Sequence, residues 1–95
     1  MKREIFERYA NLVADRFGIT REEMFTKDKS RRLSDARHVL YYLCHKRQIT
    51  SSYIKHYMGE NGYNIDLPSI GHGLKRVETH ISNDPDYTTL IDELK

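Results

Sequence analysis

The chain has 95 residues, enough for one compact domain and too few for two. Hydrophobic residues make up 38% and charged residues 32%, and no apolar run approaches the roughly 20 residues of a membrane-spanning helix, so a membrane protein is excluded. The net charge is +2, and the single cysteine excludes an internal disulfide and fits a reducing compartment such as the cytoplasm. The first residues, MKREIFER, include acidic side chains where a secretory signal needs an apolar stretch, so no such signal is expected.

Apolar residues recur at spacings of three and four along nearly the whole chain. This pattern predicts an all-α fold, with six helices in a single compact domain over residues 1–95. The first helix ends at Gly18, and its apolar stripe consists of Ile5, Tyr9, Leu12, Val13 and Phe17. Thr20 and Glu23 match a capping box, which predicts a short second helix running to about Phe25.

A basic connector, residues 27–32, precedes the third helix, for which Ser34 is the predicted N-cap. The residues expected to face the core are Val39, Leu40, Leu43 and Cys44. The residues expected outside or at the margin are Arg37, His38, Tyr41 and His45. Because Cys44 falls on the apolar stripe, we expect a small core residue there and not a nucleophile.

The fourth helix begins at residues 49–51 and ends near Gly59, and a glycine-containing loop follows. Asp66 is the predicted N-cap of the fifth helix, with Pro68 in its first turn. The inward stripe of this helix is Ile70, Leu74, Val77 and Ile81. Residues 83–86 end the fifth helix. A sixth helix follows, and its apolar residues are expected to complete the core: Tyr87, Leu90, Ile91 and Leu94.

The fourth and fifth helices, residues 51–58 and 67–82, have the order of a helix-turn-helix, in which the second helix enters the major groove of DNA. The residues expected on the outward face or edges of the fifth helix are Ser69, His72, Gly73, Lys75 and Arg76. Gly73 has two interpretations: it lets a partner approach the backbone, or it lets two helices pack tightly.

The charge is unevenly distributed along the chain. Residues 1–26 are neutral, residues 27–76 carry ten basic against four acidic residues for a net charge of +6, and residues 77–95 carry a net charge of −4. A basic centre of this kind indicates binding to a polyanion, although a solvated charged surface without a partner would have the same pattern.

Three stretches, residues 13–19, 30–38 and 66–78, resemble in order the C-terminal DNA-binding domain (domain IV) of the bacterial replication initiator DnaA, a fold of the Trp-repressor-like superfamily. The third lines up without gaps on the family signature D-H-T-T-V-L-H-A-x-R-K-I-E. The resemblance implies a protein of replication or transcription control that binds double-stranded DNA. It also implies that helix 67–82 lies in the major groove and the basic loop 27–33 in the minor groove.

The resemblance also implies roles for single residues. Arg31 would reach into the minor groove, and Arg37 would lie near the phosphate backbone. The full set of expected DNA-binding residues is Lys29, Arg31, Arg32, Arg37, Pro68, Ser69, His72, Lys75 and Arg76. Ser69 and His72 match positions that meet the major groove, whereas Lys75 and Arg76 match phosphate contacts. Because Ile65, Leu67 and Pro68 replace an Arg, a His and a Thr of the signature, we expect a base preference different from that of the initiator's box.

Enzyme activity is not expected, since the chain has no G-x-x-x-x-G-K-[ST] motif for an ATPase and its histidines and Cys44 lack metal-ligand spacing. No cofactor is expected. The prediction is a stand-alone monomeric domain of the bacterial cytoplasm, associated with the nucleoid, or of a host cytoplasm if a phage or mobile element encodes it. The alternative is a protein-interaction module that uses residues 67–70 to bind a replication or transcription protein.

Overall fold

A computed structural model describes residues 1–28 and 30–95, and these residues form six α-helices and no strand. The helices are α1 (Lys2–Phe17), α2 (Arg21–Met24), α3 (Arg31–Lys46), α4 (Ser51–Glu60), α5 (Leu67–Asn83) and α6 (Pro85–Leu94). The predicted all-α fold with a helix-turn-helix is confirmed. No helix in this part of the chain is long and apolar enough to cross a membrane.

Most helix ends lie where the capping residues predict them. Gly18 ends α1 in the left-handed conformation, with φ 66°, which glycine adopts without steric penalty. The capping box is present: the Thr20 hydroxyl accepts from the Glu23 backbone N–H at 3.0 Å, and the Glu23 carboxylate accepts from the Thr20 N–H at 2.8 Å. At the start of α5, the Asp66 carboxylate accepts from the Ser69 N–H at 3.0 Å.

The predicted N-cap of the third helix is wrong. Ser30 and not Ser34 caps α3, because the Ser30 hydroxyl accepts from the Leu33 N–H at 3.4 Å. The Asp28 carboxylate accepts from the Ser30 N–H at 2.8 Å and thereby holds the cap in place. The basic connector therefore ends at Ser30, and the first turn of α3 contains Arg31 and Arg32.

The core lies around α3, which packs against all five other helices. Its fully buried side chains come from five of the helices and from Ile49; among the largest are Phe6, Tyr9, Met24, Leu40, Leu43, Ile54, Met58 and Ile70. Two sequence predictions fail here. Leu12 of the α1 stripe is 40% exposed, and Tyr41, expected at the margin of α3, is buried.

Gly73 lies where α5 packs against α3, and it is buried. A Cβ atom at this position would lie 2.7 Å from His38 Cδ2 and 3.0 Å from Tyr41 Cδ2. These distances are shorter than van der Waals contact, so α5 can approach α3 this closely only with glycine here. Of the two interpretations of Gly73, the structure supports tight helix packing.

We expect Gly73→Ala to be less stable than Gly71→Ala by about 1 to 3 kcal/mol, the usual penalty of an overpacked core. Gly71 is the matched control, because it lies in the same helix with open space around an added Cβ. Both variants gain the same helix propensity, so their difference isolates the contact with α3. Urea unfolding measures it, and equal stabilities would contradict the packing role of Gly73.

Candidate nucleic-acid interface

A groove of about 720 Å³ separates the start of α5 from the connector and the first turns of α3. Its lining includes Lys27, Ser34, Arg37, His38, Ser69 and His72. The groove thus brings together the basic loop 27–33 and the start of helix 67–82, the two segments expected from the sequence to contact DNA, which lie about 40 residues apart in the chain.

Arg37 does not lie at the margin of α3, as the sequence predicted, because its side chain is 97% buried. Its guanidinium donates to the backbone carbonyls of Met24 at 2.9 Å, Thr26 at 3.1 Å and Asp28 at 2.6 Å. These carbonyls follow the end of α2 and need donors that a helix would otherwise supply. Arg37 therefore holds the connector against α3, and its donors face the protein and not a phosphate.

Tyr63 has two cations close to its ring, and these contacts join the connector and α3 to the loop before α5. Arg37 Cζ lies 4.7 Å from the centre of its ring, and Lys27 Nζ lies 4.5 Å from it. Lys27 also donates a hydrogen bond to the carbonyl of Asn64. Neither Lys27 nor Tyr63 is among the single residues expected to bind DNA, although Lys27 belongs to the basic loop 27–33 expected in the minor groove.

Arg31 and Arg32, at the end of the connector, differ in their contacts with the rest of the protein. Arg31 is exposed in the first turn of α3. Arg32 is also exposed, but its guanidinium donates to the carbonyl of Gly18 at 3.4 Å, which draws it towards the end of α1. The predicted site residue Lys29 lies outside the described residues.

On α5, the predicted site residues Pro68, Ser69, His72 and Lys75 are exposed, whereas Arg76 is half-buried. Hydrogen bonds from the side chain and backbone of Ser69 hold the pKa of the Asp66 carboxyl below its usual range. Asp66 therefore stays ionised as the N-cap, and the start of α5 has a fixed geometry.

His38 lies in the groove between α3 and α5, with its ring centre 6.1 Å from that of His72. The pKa of His38 is lowered to about 4, chiefly by burial and to a smaller extent by the nearby His72, Arg76 and Arg37, against an opposing effect of Asp35. Its Nδ1 is buried without a hydrogen-bond partner. Because His38 is neutral at physiological pH, it adds no positive charge to the groove.

Several basic residues outside the central region form ion pairs. Arg3, Arg16 and Arg21 in α1 and α2, together with Lys95, are paired with carboxylates. Among the described residues, no lysine or arginine within 27–76 forms an ion pair. The described lysines and arginines of this central region therefore have no carboxylate partner within ion-pair distance.

Cys44 is buried, and burial raises the pKa of its thiol to about 12, so the thiol is not a nucleophile at neutral pH. In the described part of the chain, no group of three or more His, Cys, Asp or Glu side chains is arranged to hold a metal ion.

Comparison with known proteins identifies one family. The family model described as the bacterial dnaA protein helix-turn-helix matches residues 7–84. The chromosomal replication initiator protein DnaA of Lachnoclostridium phytofermentans is 30% identical over 83 residues, which cover 87% of this chain and 18% of that protein. The chain thus spans less than a fifth of the length of this relative. No solved structure matches the chain significantly.

Arg37→Met is expected to lower the free energy of unfolding by about 2 to 4 kcal/mol, because it removes the donor to three carbonyls around a buried position. Arg31→Met is the control, since Arg31 is exposed in the same helix; its stability should change by about 0.5 kcal/mol or less. Thermal or urea unfolding compares the two. Equal stability of both variants would contradict the structural role of Arg37.

Proposed function

Because this chain belongs to the bacterial DnaA helix-turn-helix family, we propose that it binds double-stranded DNA, with α5 in the major groove and residues 27–33 in the minor groove. Membership in this family supports a DNA-binding domain and not a catalytic one. A role in replication or transcription control, and action as a stand-alone monomer, are further parts of the proposal.

The observation that carries the proposal is the set of unpaired cations on both sides of the groove. Lys27 lines the groove, and Arg31 and Arg32 lie in the first turn of α3. Lys75 and Arg76 lie on α5, where they line an adjoining pocket together with His72, which also lines the groove. Phosphate contacts supply much of the affinity of such domains and position them on the duplex. Cations without carboxylate partners keep their charge available for that contact.

Within this arrangement, Ser69 and His72 are the side chains we assign to base edges. Both line the groove and are exposed in the first two turns of α5. A hydroxyl and an imidazole are short hydrogen-bonding groups that suit base edges in the major groove. Arg37 is assigned a different role from the one its sequence position implied: it positions the connector that carries the minor-groove residues.

We also propose a base preference different from the initiator's box. Ile65 is half-buried against the core, whereas Leu67 and Pro68 are exposed at the start of α5. None of the three can donate a side-chain hydrogen bond, unlike the residues of the family signature at these positions. The contacts at the tip of α5 would therefore be apolar.

A second candidate function is binding to a replication or transcription protein through the start of α5. Leu67 favours it, because 43% of this leucine is exposed. Ile65 favours it less, since it packs against the core. Two adjacent apolar residues, Leu67 and Pro68, are a small patch compared with the centre of a stable protein interface.

Arg31→Ala and Lys75→Ala are each expected to weaken binding to duplex DNA several-fold without lowering the melting temperature, because both side chains are exposed. Arg8→Ala is the matched control: Arg8 is exposed on α1, and in the described part of the chain α1 does not pack against α5. Fluorescence anisotropy with a labelled duplex measures the affinity. If neither variant binds more weakly than Arg8→Ala, the DNA interface lies elsewhere or does not exist.

The salt dependence of binding provides an independent measurement. If the five cations beside the groove neutralise about five phosphates, the logarithm of the affinity should fall with the logarithm of salt concentration with a slope of about −4.5. Lys75→Ala should make this slope shallower by about 0.9, because it removes one contact. A slope near zero for the wild type would contradict a phosphate-binding surface.

A further inference from the structure

The first turn of α5 presents apolar side chains at the tip of the proposed recognition helix. Leu67, its first residue, is 43% exposed and belongs to the few large apolar side chains that are open to solvent in the described residues. Pro68 beside it is also exposed. The remaining exposed residues of this kind are Met1, Leu12 and Tyr53, none of which lies on α5.

Few polar groups at this tip remain free for a base. Pro68 has no backbone N–H, and the Ser69 N–H is used by the Asp66 carboxylate at 3.0 Å. The N-cap that begins the helix thus occupies one backbone donor that could otherwise contact a base edge.

Gly71 leaves Leu67 uncovered. Residues four apart stand next to each other on one face of a helix, so the side chain at position 71 would lie beside Leu67. Gly71 has no side chain, and an added Cβ would meet no atom within 4 Å. The next residue on this face, Lys75, is exposed. Along this face of α5, the exposed apolar side chain of Leu67 is therefore followed by Gly71, which has no side chain, and then by the cation Lys75.

We propose that α5 selects thymine in its target site through the C5-methyl group, with Leu67 as the residue that contacts the methyl. The thymine methyl is the apolar group that the four bases display in the major groove, so an apolar side chain there distinguishes T·A from other pairs. Lys75, two turns further along the same face, fits a flanking phosphate. This inference rests on the proposed DNA binding. It specifies which feature of a base is recognised by the first turn of α5, where Leu67 and Pro68 replace a His and a Thr of the family signature.

The test uses the full chain and a duplex obtained by selection from a random library. Each thymine of the selected site is replaced singly by deoxyuridine, which keeps base pairing and lacks the methyl group. The wild type should lose about fourfold in affinity at a thymine that α5 contacts, the effect expected from one apolar carbon group no longer buried. In Leu67→Ala, the same replacement should leave the affinity unchanged.

Leu12→Ala is the matched control, since Leu12 is also an exposed helical leucine, with 40% of its surface accessible, and lies on α1. It should show the wild-type response to deoxyuridine. Melting temperatures of both variants should equal that of the wild type.

The outcomes separate this inference from the proposed function. If the wild type binds the selected duplex but no deoxyuridine replacement weakens it, or if Leu67→Ala still responds to the replacement, methyl recognition by Leu67 is wrong while DNA binding stands. If the selection returns no enriched sequence, sequence recognition by α5 is wrong. If no duplex binds at all, the DNA-binding function is wrong as well.

Discussion

The buried guanidinium of Arg37 is the interaction on which the arrangement of the groove depends. It joins the three segments that form the groove: α3, which carries it, the connector, whose carbonyls accept its hydrogen bonds, and the loop of Tyr63. A buried charge is stable only when its donors are satisfied, so loss of any of these segments would leave it without compensation. The connector and the start of α5 consequently hold one relative geometry before any partner arrives, which reduces the ordering that binding requires.

The packing of α5 against α3 complements this polar interaction. The small volume of Gly73 lets α5 lie directly on the His38 and Tyr41 side chains, and the same contact sets the width of the groove. The arginines of α1 and α2 have a different environment, since Arg3, Arg16 and Arg21 pair with carboxylates near the surface. Among the described residues, carboxylates thus pair with three arginines of α1 and α2 and with no lysine or arginine within 27–76.

Much of the fold could be predicted from the sequence, because helix stripes and caps are local patterns. Gly18, the Thr20–Glu23 box and Asp66 each act within one turn of chain, and their predicted roles are confirmed. The prediction that Ser34 caps α3 was wrong, and the residue that does cap it, Ser30, lies four positions earlier. The two serines share almost the same helical phase, so periodicity alone does not distinguish them.

The site was less predictable, since its chemistry depends on contacts between distant parts of the chain. The basic run and the resemblance indicate where cations cluster. They do not indicate which of these cations already hydrogen-bond to groups of the protein itself. Arg37 bonds to carbonyls 9 to 13 residues away, and Arg32 to one 14 residues away. Such partners leave no periodic trace, and an arginine on a helix is exposed in most proteins.

The way α5 begins has a consequence for how this domain can change over time. The start of the helix is set by Asp66 and by backbone hydrogen bonding, while its attachment to the core depends on Ile70, Gly73 and Val77. The positions at 67, 71 and 75 take part in neither task. New side chains could therefore arise there one at a time without passing through unfolded intermediates, so this exposed face of α5 can change nearly independently of folding.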